Sequence, residues 1–218
     1  EVLDEALKRA TKLGHKDADL KITEQVAIGA LKWNDLKRGA VSDVVFDWDE
    51  ILNMQGNSGP YVQYTYARTQ SVLRKAGRYE FTKIRIYEFN DEEKAILRWL
   101  YRFPEVVEQA VKHQSAPDSP GAGRYSAAKE YAPSSVCTYL YELAQRFNTF
   151  YNKHSILGKT QNEISNHKFQ DTNKSQISNS KFQPNDEQRS FRLALTAAVG
   201  QVLKNGLGLL GIAAPDRM

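Results

Sequence analysis

A single cysteine in 218 residues, Cys137, rules out an internal disulfide and any paired C-x-x-C site. It lies among Val136, Tyr139, Leu140 and Leu143 at helical spacing, where a lone thiol serves as a small buried hydrophobe. Long apolar runs are also missing. None approaches the roughly 20 residues that a membrane-spanning helix needs. The first residues, Glu1-Val2-Leu3-Asp4-Glu5, lack the basic and apolar regions of an export signal, so the expectation is a reducing, cytoplasmic setting without a membrane. Catalytic signatures are absent as well: there is no P-loop, no strand-linked G-x-G-x-x-G and no H-E-x-x-H. His15, His113, His154 and His167 stand in separate polar segments without metal-ligand spacing, so no metal site and no catalytic residue is expected.

What is present is an ordinary globular composition, 41% hydrophobic and 26% charged, long enough for one large domain or two small ones. The net charge of +4 is modest, but its distribution is uneven. Between Tyr66 and Tyr87 stand Arg68, Arg74, Lys75, Arg78, Lys83 and Arg85 against one acid, Glu80, with Tyr79 between them. Cations beside aromatics suit phosphate neutralisation and base stacking. A basic, solvated helix face explains the same window equally well.

Apolar spacing predicts helices over 2–13 and 22–36. Residues 41–48 are β-branched and alternating, fitting an extended stretch or the approach to a helix. If extended, Asp47 and Asp49 would share one face as an acid/base or metal pair; otherwise they cap a helix or pair with Lys37 or Arg38. The run GNSGP at 56–60 is the clearest break, and Pro60 suits the first turn of a helix that closes at Gly77. Asn90 and Glu93 have the spacing of a capping box, and Pro104 divides the next helical pattern into a kinked helix or two short ones. Residues 115–133 form a Pro/Gly/Ser-rich connection, after which Ser134 or Ser135 is expected to cap a helix running past Tyr151. Residues 159–185 are polar, nearly repeat ISNHKFQ as ISNSKFQ, and carry too little apolar surface to repay ordering; they are expected to be a flexible insertion. A last helix is predicted from 186 to 204, ending at Asn205-Gly206. The expected fold class is mainly α: a short helical segment followed by a helical bundle.

Three stretches, VAIGALKWNDL at 26–36, SDVVFDWD at 42–49 and GPYVQYTYAR at 59–68, resemble arginyl-tRNA synthetases in wording and order. FNTFY at 147–151, RLAL at 192–195, QVLKNGL at 201–207 and LGIAAPDRM at 210–218 resemble that family's α-helical, DALR-type anticodon-binding domain. The resemblance covers nearly the whole chain, with 159–185 the main departure and 115–133 a weaker one. It implies that 1–57 completes the catalytic region and contacts the tRNA stem, and that 58–218 is the anticodon-binding domain. The family's H-x-G-H and lysine-rich signatures are missing here, so ATP (with Mg) and arginine would be bound upstream in the full-length enzyme, and this part would be inactive alone. The implied partner is arginine tRNA, bound by a monomer.

By that resemblance the residues that receive unstacked anticodon bases are Tyr61, Thr65, Tyr151 and Met218, with Arg68, Arg74, Lys75 and Lys204 on the tRNA backbone. Single-stranded loops are read by stacking and by edge hydrogen bonds, which suits tyrosine. Tyrosines at helical spacing also serve as core, the reading expected for Tyr64 and Phe150. Two other classes remain open at this stage: a general RNA-binding helical module, and a protein-interaction bundle whose tyrosine stripe buries against a partner.

Overall fold

The structure, a computed structural model, describes residues 2–13, 19–39, 46–77, 87–112, 131–157 and 185–218. The expectations for 41–45, for Arg78, Tyr79, Lys83 and Arg85, for His15, His113 and His167, for most of the 115–133 connection and for the repeat-bearing insertion lie outside the described residues. Eight helices occur among those described: α1 (Val2–Leu13), α2 (Leu20–Leu36), α3 (Trp48–Ile51), α4 (Gly59–Ala76), α5 (Asp91–Tyr101), α6 (Phe103–Lys112), α7 (Pro133–Lys153) and α8 (Asp186–Leu209). None is long and apolar enough to cross a membrane.

Helix starts follow side-chain chemistry. Ser58 accepts from the Tyr61 amide at the head of α4, with Pro60 in the first turn where its missing N–H costs nothing. Asn90 and Glu93 close the capping box of α5, and Asn185 with Gln188 does the same for α8. Asp49 lies in the first turn of α3, so Asp47 and Asp49 do not share one face of an extended stretch. Asp47 accepts from the Asp49 amide and caps the short α3, while Glu50 takes the ion pairs with Lys37 and Arg38.

Two predicted boundaries are wrong for physical reasons. Neither Ser134 nor Ser135 caps α7, which begins at Pro133 after Ala132 with no side-chain cap, because proline brings a preset φ and one fewer orphan amide. The last helix does not stop at Asn205-Gly206 but continues to Leu209. Gly206 is buried against the side chain of Leu140, so its missing Cβ serves close packing; the turn falls to Gly211, at φ 66°. Pro104 marks a true break, and α5 and α6 are separate helices.

Helix α4 is the centre of the bundle, packed against α2, α7 and α8. One continuous core joins Val62, Tyr66 and Val72 of α4 to Leu140, Leu143, Phe147 and Phe150 of α7 and to Leu193, Val199 and Leu203 of α8. Each such aliphatic or aromatic side chain, fully buried, contributes about 1.5–3 kcal/mol. Cys137 belongs to this core, and burial pushes its thiol up to about 12. The helices α5 and α6 close one side, where Trp99 stacks on Tyr139 and the two exchange hydrogen bonds through indole N–H, phenol and backbone carbonyls.

The sequence break at 56–60 leaves no gap in the packing. Trp33 of α2 is wholly buried in the main core, and its indole N–H donates to Asn57 Oδ1 at 2.9 Å. Close approach of α2 and α4 depends on Gly29 and Gly59: a Cβ on Gly59 would lie 2.5 Å from the Gly29 carbonyl oxygen. Smaller clusters, Ala6 and Ala10 with Val26 and Ala27, then Ala30 with Ile51 and Leu52, seat α1 and α3 on the other flank of α2.

Candidate nucleic-acid interface

A cleft of about 540 Å3 opens between α4, the end of α7 and the C-terminal segment. Helical spacing puts Tyr64, Arg68, Ser71 and Lys75 on one face of α4, and Tyr151 reaches the same cleft from the last turns of α7. Arg74, Arg217 and Met218 complete its rim, while Ile156 and Leu157 form part of its apolar wall. Its lining includes the cations Arg68, Arg74, Lys75 and Arg217 and, among the described residues, no carboxylate side chain. Such a concave surface attracts anions and offers aromatic faces beside them.

Arg68 organises the cleft. Its guanidinium lies 4.8 Å from the centre of the Tyr64 ring and 4.9 Å from that of Tyr151, so it fills the space between two tyrosines. It also donates to Tyr64 Oη at 3.3 Å and to Asn148 Oδ1 at 2.5 Å. The Asn148 amide in turn donates to Tyr61 Oη at 3.0 Å and to Thr65 Oγ1 at 2.9 Å. One asparagine on α7 therefore ties together three α4 side chains, and the tyrosines are held in fixed orientations before any ligand arrives.

The sequence-predicted residues separate into groups. Tyr151, Met218, Arg68, Arg74 and Lys75 meet at the cleft. Tyr61 is half-buried one helical turn away, edge-on to Tyr141 at 5.5 Å, and joins the network through Asn148. Thr65 has no exposed surface; its hydroxyl donates to the Tyr61 carbonyl and accepts from Asn148, so it supports its neighbours and offers no contact face. Lys204 lines a different, apolar groove between α6 and α8, with Phe103, Val107 and Leu209.

Two residues carry more of the geometry than the sequence reading gave them. Tyr64, expected as core, lines the cleft with its ring against Arg68. The four-residue spacing from Arg68 was the available signal. Asn148 belongs to the FNTFY motif, and nothing in spacing alone distinguishes a hub asparagine from a solvated one. Phe150 is core as expected.

The cleft wall is braced from behind. His154 lines the cleft and meets Glu92 Oε2 at 3.2 Å, while Lys153 donates to Glu92 Oε1 at 2.6 Å. The hydrogen bond from Lys153, with that of His154, holds the Glu92 carboxyl down at about 2. Deeper, Arg192 donates to the fully buried Glu93 at 2.8 Å and to the Ser155 carbonyl at 2.8 Å, fixing the turn that follows α7.

Residues 62–218 match the family described as DALR anticodon binding domain. The chain is similar along its whole length to arginine-tRNA ligase of Pyrococcus abyssi, at 34% identity over 229 residues, and to that of Ligilactobacillus salivarius, at 33%. It spans only 30% and 32% of those two relatives, about a third of the length of each. Among solved structures, arginyl-tRNA synthetase of Thermus thermophilus superposes over all of this chain and 32% of its own, with a TM-score of 0.74 and 28% identity. That of Plasmodium falciparum shares the fold over 99% of this chain and 33% of its own, with a TM-score of 0.65 and 21% identity. With nearly three quarters of its residues inside the family match, and with the helical fold those relatives share, the chain belongs to the DALR anticodon-binding domain family.

Proposed function

We propose that the cleft between α4 and α7 receives unstacked bases of the anticodon loop of an arginine tRNA. The observation that carries this reading is the Tyr64–Arg68–Tyr151 stack beside a rim of Arg74, Lys75 and Arg217. In it Tyr151, Tyr64 and Met218 offer surfaces to bases, Arg74 and Lys75 meet phosphates, and Tyr61 contributes its exposed edge. Thr65 acts through Asn148. Lys204 touches backbone only if the tRNA also reaches the α6/α8 groove. Aromatic stacking contributes about 1–3 kcal/mol per base, and phosphate contacts supply affinity that falls with salt.

In the whole protein this recognition serves the attachment of arginine to tRNA, with ATP, Mg and arginine held by residues outside this chain. The names of the relatives support the attachment of arginine to tRNA. The same proposal has the protein cytoplasmic and monomeric and this part inactive alone. The decisive test is a filter-binding titration at fixed salt, comparing arginine tRNA with a copy altered only in its anticodon. The parent is expected to prefer the arginine anticodon, and Tyr151→Ala to weaken binding by about fivefold or more while leaving helicity unchanged. Equal affinity of parent and Tyr151→Ala for arginine tRNA refutes the assignment. Equal binding of both tRNAs with steep salt dependence indicates a general RNA module, and no binding of either indicates a protein-interaction bundle.

A further inference from the structure

The segment after α8 runs back along α4 and is tied down bond by bond. Lys32 Nζ of α2 donates to the Gly211 carbonyl at 2.5 Å, and Gln63 Nε2 donates to the Ala213 carbonyl at 2.8 Å. Tyr66 Oη donates to Asp216 Oδ1 at 2.7 Å, and Arg74 Nη1 to the Asp216 carbonyl at 3.1 Å. Ile212 and Pro215 are buried between these bonds, so the backbone alternates apolar anchors with polar ties. The next two residues, Arg217 and Met218, are the ones that reach the cleft.

Neither Gln63 nor Tyr66 lines that cleft. Both are buried, and for neither does burial need a polar group. Gln63 has no exposed surface, and its Oε1 finds no partner, a cost that an apolar side chain of similar volume would avoid. Its Nε2 donates to Gln25 O of α2 as well as to Ala213, so one amide joins α2, α4 and the C-terminal segment. The tyrosine likewise spends its hydroxyl on an otherwise exposed carboxylate two residues before Met218.

We infer that Tyr66 and Gln63 are positioning residues for anticodon recognition, holding the 211–218 segment so that Arg217 and Met218 stand against the Tyr64–Arg68–Tyr151 stack. The inference rests on the tRNA reading above. Tyr66→Phe is the sharpest probe, because it keeps the buried ring and leaves behind only a carboxylate that water can reach. Arginine tRNA binding is expected to weaken about three- to tenfold. Since Tyr66 acts through the placement of Arg217 and Met218, the loss is expected to shrink in a Met218→Ala background, which already removes one of the two placed side chains. Asp216→Ala, an exposed substitution, is expected to give the same loss and not to add to that of Tyr66→Phe.

The control is the parent titrated with arginine tRNA and its anticodon-altered copy. A parent that binds both equally overturns the tRNA reading and this inference together. A parent that discriminates, with Tyr66→Phe binding as tightly as the parent, or losing as much with Met218→Ala present as without it, overturns the positioning role alone.

Discussion

Removing Arg192 tests whether the brace behind the cleft is organised as the geometry says. The Glu93 carboxylate is fully buried and has, among the described residues, three donors: Arg192 Nε at 2.8 Å and Tyr87 Oη at 2.8 Å on one oxygen, and the Asn90 amide at 3.0 Å on the other. Arg192→Met preserves an unbranched apolar stem but leaves a buried carboxylate without its counter-charge, a change that costs about 3–5 kcal/mol. For a chain of this size that lowers Tm by about 6–20 °C. Replacing both partners, Arg192→Met with Glu93→Met, removes the buried charge itself. Beyond the single variant, the double one forfeits the return bond of the Asn90 amide to Glu93 in the α5 capping box and the Tyr87 hydrogen bond, each about 1 kcal/mol, while the Asn90 side chain still caps the helix. It is therefore expected to be more stable than Arg192→Met alone. Urea unfolding followed by far-ultraviolet circular dichroism, extrapolated linearly to water, measures both, with the slope expected to stay unchanged. A single variant within 1 kcal/mol of the parent, or a double variant no more stable than the single, refutes the reasoning.

Two further outcomes follow from other parts of the structure. Glu92 titrates at about 2 when folded, below the 4.5 of a free glutamate, so its contribution is fully present above about pH 4.5 and is lost as pH falls towards 2. The pair is partly exposed, which limits that contribution to about 1 kcal/mol or less. Glu92→Gln is expected to flatten the stability profile in that window, and an unchanged acid limb counts against the ion pairs with Lys153 and His154. Gly59→Ala would drive a Cβ into the Gly29 backbone, where no side chain can yield, and is expected to cost about 1–3 kcal/mol in the same urea assay. A neutral result would mean that α2 and α4 do not approach as closely as described.

Much of the helical framework was legible because local rules governed it. The apolar spacing of 2–13, the capping box at Asn90 and Glu93, the break at Pro104 and the glycine stop at Gly77 each depend on neighbours a few residues away. Where a boundary depended on distant contacts, the same rules misled. Gly206 looked like a helix stop, yet its lack of a side chain answers to Leu140, more than sixty positions earlier. Tyr64 looked like core because tyrosines at helical spacing usually are, and only the packing of α7 on α4 decides which of Tyr61, Tyr64 and Tyr66 faces the cleft.

The sequence by itself therefore determined the class of the protein, its mainly helical architecture, and a set of aromatic and basic candidates through ordered motifs whose wording survives distance. Tertiary structure decided which candidates share a site. It gathers Tyr151, Arg68, Arg74, Lys75 and Met218, sends Lys204 to another groove, buries Thr65 as a support, and makes Asn148 the tie between helices. The physical reason is range: helix propensity and capping act over three or four residues, whereas a binding site is made by side chains brought together from α4, α7 and the end of the chain, whose separation no local pattern encodes.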